Sequence, residues 1–290
     1  MPASPSPHAQ PDAVARLRAA GCVFAEDEAR LLTCAARTPA ELAVMVDRRA
    51  AGEPLEHVLG WAEFCGLRVA VEPGVFIPRR RTEFLVRRAA ALARAPASAG
   101  RDAADGTTGR GAAQPPAVVV DLCCGSGAVG AALAAALGRV ELHAADIDPV
   151  AVRCARRNVA PVGGQVYQGD LYGPLPGRLR GRVSLLAANV PYVPTGEVGL
   201  LPPEARVHEP RVALDGGADG LDVLRRVTAA ATRWLAPGGH LLVETSERQA
   251  PQAVEIFARD GLMPRLARSA KLHATVVIGT RPAGRGAPGG

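Results

Sequence analysis

Aromatic residues make up only 3% of the 290 positions, and a single lysine, Lys271, is present. The first scarcity argues against a surface that stacks single-stranded bases, which needs repeated aromatic platforms. The second puts nearly all the positive charge on arginine. The net charge of +6 then favours an acidic or nucleic-acid-bearing partner only weakly, and most arginines are expected to be solvated surface. The six cysteines (Cys22, Cys34, Cys65, Cys123, Cys124 and Cys154) form no CxxC pair and have no histidines at zinc-ligand spacing, so neither a metal site nor a disulfide framework is signalled. His57 and His208 are expected to be non-ligands. No apolar run approaches the roughly 20 residues that span a bilayer, and the first residues lack the charged start and apolar stretch of a signal peptide. A cytoplasmic protein without membrane contact is the expectation. With 48% hydrophobic and 21% charged residues, the chain can bury a core, and its length suits one main domain with a smaller companion.

Patterning divides the chain. Residues 1–12 are proline-rich and aperiodic, a flexible tail. Residues 13–60 read as a small helical unit: 13–20 and 25–36 carry apolar stripes through Val14, Leu17, Phe24, Leu31 and Leu32, and Thr38-Pro-Ala-Glu41 has capping-box form before a third helix through Arg49. In 61–94 the period changes toward two over 63–71, Pro73-Gly74 predicts a hairpin turn into 75–77, and a helix follows from Arg81 to Ala93. Residues 95–116, nearly devoid of large apolar side chains, read as a flexible linker. From 117 to 281, strands are expected near 117–122, 141–146, 164–168, 183–189, 238–244, 262–267 and 272–279, with helices between most of them. That alternation predicts an α/β fold with a mainly parallel, doubly wound seven-stranded sheet. The last two strands are joined too tightly for a crossover helix and should pair antiparallel. Residues 282–290 form a second tail.

Ligand chemistry concentrates at the predicted strand ends. Val118-Val-Val-Asp121-Leu-Cys123-Cys-Gly125-Ser-Gly127 is a buried strand entering a glycine-rich turn, by itself a weak nucleotide signal. About 20 residues on, Asp146 and Ile147 close a second strand and offer a carboxylate to a ribose diol. Gly169-Asp170-Leu171 ends a third, with a carboxylate suited to an adenine amino group. Gly125 to Gly130 permits a dinucleotide-type loop, but Asp121 just before the turn would repel a pyrophosphate and suits a cation better. The fourth strand ends in Asn189-Val190-Pro191-Tyr192. The run Arg79-Arg80-Arg81 reads as solvated rather than catalytic.

These blocks together resemble the HemK/PrmC family of protein N5-glutamine methyltransferases. The resemblance spans nearly the whole chain: Gly52 to Gly60 with Phe64, Gly74-Val-Phe-Ile-Pro-Arg79 with Thr82-Glu83, Asp121 to Gly127, Asp146, Gly169 to Leu171, Asn189 to Tyr192, Glu209-Pro-Arg211, Leu214 to Gly217 and Asp219 to Asp222. Two positions depart from the family pattern, Val190 for the first proline of Asn-Pro-Pro-Tyr and Cys123 for the first glycine of the cofactor loop. The resemblance implies a Rossmann-like sheet with S-adenosylmethionine (SAM) as cofactor, bound by Phe76, Ile77, Pro78, Thr82, Asp121, Cys123, Gly125, Gly127, Asp146, Ile147, Gly169, Asp170, Leu171 and Asn189. It also implies a catalytic group of Asn189, Val190, Pro191 and Tyr192. The implied partner is a protein with an accessible glutamine, a release factor or another translation protein, held by the helical unit; nucleic acid would enter only indirectly. The chemistry can be stated independently: an amide nitrogen is a poor nucleophile, so the Asn189 side-chain oxygen and the Val190 carbonyl must fix its two N–H bonds while Tyr192 packs on its planar face. An exocyclic base amine presents the same planar geometry, and a non-catalytic SAM-binding adaptor is the third reading.

Overall fold

The computed structural model describes residues 9–94 and 115–283, so nearly all of the expected linker and most of both expected tails lie outside the described residues. The chain begins with helices α1 (Ala9–Ala19), α2 (Ala25–Ala35), α3 (Pro39–Ala50) and the short α4 (Leu55–Leu59); α1 starts within the region expected to be tail. Leu17, Leu32, Leu42, Val46 and Val58 close a separate small core. Phe24 is not part of it: it stands just before α2 and is 68% exposed, contrary to its expected place in an apolar stripe. Thr38 caps α3 by accepting the Glu41 N–H at 3.1 Å, but the Glu41 carboxylate reaches one residue further back than a capping box requires, to the Arg37 N–H at 2.8 Å.

Strands β1 (Trp61–Phe64) and β2 (Leu67–Ala70) pair antiparallel. Their turn is Cys65-Gly66, not Pro73-Gly74 as the sequence suggested. Both turn residues take positive φ (51° and 77°), the handedness a two-residue turn needs to match strand twist. Pro73-Gly74 instead makes a separate turn closed by the Val75 N–H on the Glu72 carbonyl, with Gly74 at φ 82°, which carries the chain onto the sheet's upper edge.

After a 3-10 turn at Arg80–Thr82 come α5 (Glu83–Arg94), β3 (Ala117–Leu122), α6 (Ala128–Leu137), β4 (Val140–Asp146), α7 (Pro149–Val159), β5 (Gln165–Gln168), β6 (Val183–Ala188), α8 (Pro203–His208), α9 (Asp222–Trp234), β7 (Leu235–Thr245), α10 (Ala250–Arg259), β8 (Met263–Ser269) and β9 (Ala274–Thr280). The main sheet has seven strands in the order β5-β4-β3-β6-β7-β9-β8, parallel except that β9 runs antiparallel to both β7 and β8. Alternation along β3 sends Val118, Val120 and Leu122 toward α9 and α10, and Val119 toward α5 and α6, so both faces are covered by apolar packing. The chain order reverses between β3 and β6, and a sheet of this kind opens a crevice beyond the strand ends at that point. Among the described residues no helix is long and apolar enough to cross a membrane.

Candidate active site

The turn after β3 is the floor of that crevice. Cys123 adopts φ 53° and Gly125 φ 53°, the left-handed region in which a side chain carries roughly 1–2 kcal/mol of strain. Burial first, then the neighbouring Asp146 and Asp121 carboxylates, pushes the Cys123 thiol well up, so it is not a nucleophile at neutral pH. Gly127 does not line the cavity; a Cβ there would sit 3.1 Å from Ala155 and Val159, so its smallness lets α6 approach α7.

Asp121, 1% exposed, accepts the Gly130 N–H at 2.8 Å in the first turn of α6. Burial raises its carboxyl to about 7, against the Gly130 bond and with help from Asp146. Asp146 accepts the Gly125 N–H at 2.8 Å on one oxygen and the Asp148 N–H at 2.9 Å on the other, which locks the glycine turn to the end of β4. Burial raises this carboxyl too. Each oxygen keeps a lone pair for a further donor. Ile147, 51% exposed, and Leu171 present apolar surface to the cavity, whereas Asp170 is ion-paired with Arg226. Gly169 is absent from the lining because its Cα faces Pro174, with room for no more than hydrogen: a Cβ would lie 2.9 Å away.

Asn189 follows β6. Its side-chain oxygen is buried without a hydrogen-bond partner, and the adjacent Val190 carbonyl accepts no backbone hydrogen bond among the described residues. The Val190 side chain is 2% exposed in the core beneath, and the following proline restricts its backbone to extended conformations. The rest of the loop is held through its main chain. The Val193 N–H donates to the Leu214 carbonyl (3.0 Å), the Gly216 N–H to Val193 (2.8 Å), and the Gln249 amide to Tyr192 (2.9 Å). Gly216 and Gly220 press so closely that a Cβ would lie 2.6 Å from the Pro191 carbonyl oxygen and 2.3 Å from that of Tyr192.

The opposite wall comes from residues 76–82. Phe76, Pro78 and Thr82 line the cavity, but Ile77 does not; it is buried against Ala62 and Val71, and its N–H donates to Glu209 at 3.2 Å. Arg79 and Arg81, expected to be solvated, are tied down. Arg79 donates to both oxygens of Glu209 (2.6 and 2.7 Å), and Arg81 donates to Glu244 (2.9 Å) and to the Tyr192 hydroxyl (2.5 Å). Both glutamates are buried, and a buried carboxylate demands such partners. Sequence reading missed these pairs because their members stand 130 and 163 residues apart; only the Glu209-Pro-Arg211 block hinted at one. The walls enclose a cavity of about 490 Å³, within the range of small-ligand sites. It brings together every expected site residue except Ile77, Gly127 and Gly169, which support it from behind.

A crevice of this build can cradle a nucleoside beside a planar amine. The family model described as "Methyltransferase small domain" matches residues 112–192, the stretch from before β3 to the end of the Asn-Val-Pro-Tyr loop, and together with the relatives that follow it makes the protein a methyltransferase. It is 40% identical over 228 residues to the release factor glutamine methyltransferase of Geobacter sulfurreducens, covering 77% of this chain and 72% of that one. The enzyme of the same name from Streptomyces coelicolor is 38% identical, with 74% and 71% covered. A 4-amino-L-phenylalanine/4-methylamino-L-phenylalanine methyltransferase of Streptomyces pristinaespiralis is 36% identical, with 74% and 69% covered. The chain belongs to the release factor glutamine methyltransferase family, HemK/PrmC.

Proposed function

We propose that this protein transfers a methyl group from S-adenosylmethionine to the side-chain amide nitrogen of a glutamine in a peptide-chain release factor. The observation that carries the reading is the buried oxygen of Asn189 beside the Val190 carbonyl, neither with a hydrogen-bond partner among the described residues. That oxygen's lone pairs are uncommitted and remain for an incoming N–H. Two acceptors at a strand end then take both N–H bonds of a glutamine amide. The nitrogen is fixed, its lone pair is turned to the cofactor side, and Tyr192 supports the planar group. No side-chain base need ionise the amide beforehand, since the work is orientation; once the nitrogen takes the methyl group, one N–H becomes strongly acidic and its proton passes to water.

The lining fits S-adenosylmethionine. Asp146 has lone pairs left for the ribose hydroxyls, Ile147 and Leu171 offer apolar cover for the adenine, and Asp170 can accept from its amino group. Phe76, Pro78, Thr82 and the turn from Cys123 to Gly125 complete the cradle. Asp121, held near its midpoint at neutral pH, suits a nearby cation, which would favour its ionised form. When bound, the cofactor supplies an electrophilic methyl group whose sulfur leaves as a neutral thioether. Ile77, Gly127 and Gly169 hold the walls of this cradle without lining it.

Arg49 of α3, paired with Glu28 of α2, also reaches Glu204 of α8 at the cleft's rim, each at 2.7 Å, which supports a role for the helical unit in presenting a protein acceptor. Base amines and a non-catalytic adaptor are set aside, because the relatives above carry methyltransferase names with a protein or an amino acid as acceptor. The test is incubation with labelled cofactor and purified release factors, followed by mass mapping of the glutamine peptide that carries the label. A gain of one methyl on that glutamine is expected. Methyl gain only on another protein would remove the release factor as acceptor, and none on any protein amide would end the reading. Asn189→Ala should lower turnover by about 10- to 1,000-fold while leaving cofactor affinity nearly unchanged.

A further inference from the structure

We propose that Arg81 and Glu244 form a positioning pair that fixes Tyr192 as a rigid wall of the acceptor pocket, so that Glu244 controls acceptor fit without touching the acceptor. The proposal rests on the glutamine-acceptor reading above and deepens it. Glu244 lies near the end of β7, two residues from Leu242 and so on the same sheet face, which carries α5. Its side chain is 3% exposed and does not line the cavity. One of its oxygens accepts from Arg81 Nε at 2.9 Å and from the Tyr192 hydroxyl at 3.4 Å; the other is buried with no partner among the described residues. The Tyr192 hydroxyl is held from a second side by Arg81 Nη2 at 2.5 Å, and the guanidinium carbon stands 5.9 Å from the ring centroid. Three elements far apart in the chain thus converge on one phenol oxygen.

A ring that served only as apolar filling would need none of this. Burying a carboxylate with one oxygen unsatisfied is unfavourable, and an apolar residue of similar volume would usually hold the strand end as well or better. What the arrangement provides is direction. A guanidinium fork and a carboxylate fix the hydroxyl in two directions, so the ring cannot tilt into or away from the space beside Asn189. Wall contacts exist before and during methyl transfer alike, so loosening them raises KM for the acceptor and leaves kcat nearly unchanged.

Glu244→Gln keeps the shape and one acceptor oxygen but removes the charge. The expected result is a rise in acceptor-peptide KM of about tenfold, the usual effect of weakening one charge-assisted hydrogen bond, with kcat and the affinity for S-adenosylhomocysteine unchanged. Arg81→Lys, which cannot reproduce the fork, should act in the same direction. In a Tyr192→Phe background, Glu244→Gln should add less than about twofold, because the hydroxyl through which it acts is gone. Fluorotyrosine NMR gives a readout separate from catalysis. The protein has three tyrosines, the Tyr192 line is identified by its loss in Tyr192→Phe, and it should shift and broaden in Glu244→Gln. An unmoved fluorine line, an unchanged acceptor KM, an equal fall in cofactor affinity, or a full tenfold effect in the phenylalanine background would each overturn the proposal. If the wild-type protein methylates no glutamine peptide, the acceptor assignment falls by itself, and the fluorine line decides whether Glu244 holds the ring.

Discussion

Replacing Asp121 by Asn should make the fold more stable, and increasingly so as pH rises. Burial lifts this carboxyl from 3.8 to about 7, so between those values the folded chain keeps a proton that the unfolded chain has lost. Stability therefore falls with rising pH across that window and levels off above it. At ~1.36 kcal/mol per unit, the penalty is roughly 2 kcal/mol at pH 5 and roughly 4 kcal/mol at pH 8. The Asn side-chain oxygen can still accept the Gly130 N–H, so the substitution removes the ionisation and spares the bond. The gain of Asp121→Asn over wild type should thus be about 2–3 kcal/mol larger at pH 8 than at pH 5, or roughly 5–10 °C in Tm for a chain of this size. Thermal unfolding of both proteins at half-unit pH intervals measures it directly. Saturating S-adenosylmethionine should shrink the pH dependence of the wild type, because a cation favours the ionised carboxylate, and should weaken binding to the variant. Parallel stability curves for the two proteins from pH 5 to 8 would refute the assignment of a raised, buried carboxyl to Asp121.

The remaining expectations are more local. Gly216→Ala drives a methyl group into the Pro191 carbonyl and should displace the Asn-Val-Pro-Tyr loop, lowering kcat/KM on the order of 100-fold while calorimetry shows cofactor affinity changed by less than about threefold. Cys123→Gly removes side-chain strain of roughly 1–2 kcal/mol at φ 53° and adds about 0.5–1 kcal/mol of chain entropy, so Tm should rise by at most a few degrees with activity retained. The turnover loss in Asn189→Ala and the acceptor-KM rise in Glu244→Gln complete the set, both measured by initial rates with a release-factor peptide.

Elements governed by local pattern were legible in the sequence. Apolar runs bounded by turn residues located the strands of the main sheet to within a few residues, and the tight spacing of the last two foretold their antiparallel pairing. The hairpin turn was misread because Pro73-Gly74 carries the stronger turn chemistry, while Cys65 takes a left-handed conformation that its side chain does not advertise. Glycines were harder to interpret than to find: Gly125 lines the cavity, but Gly127 and Gly169 serve packing against Val159 and Pro174. The partners of Arg79 and Arg81 were invisible because a surface arginine and a braced one look alike until the fold brings Glu209 and Glu244 beside them.

The loop from Asn189 to Tyr192 owes its shape to main-chain bonds and to two glycines pressed against its carbonyls. Its geometry is therefore written mostly in neighbouring segments, and position 190 can drift from proline to valine while the loop stays as it is. A side chain is less tolerable at Gly216 and Gly220, two residues outside the cavity lining.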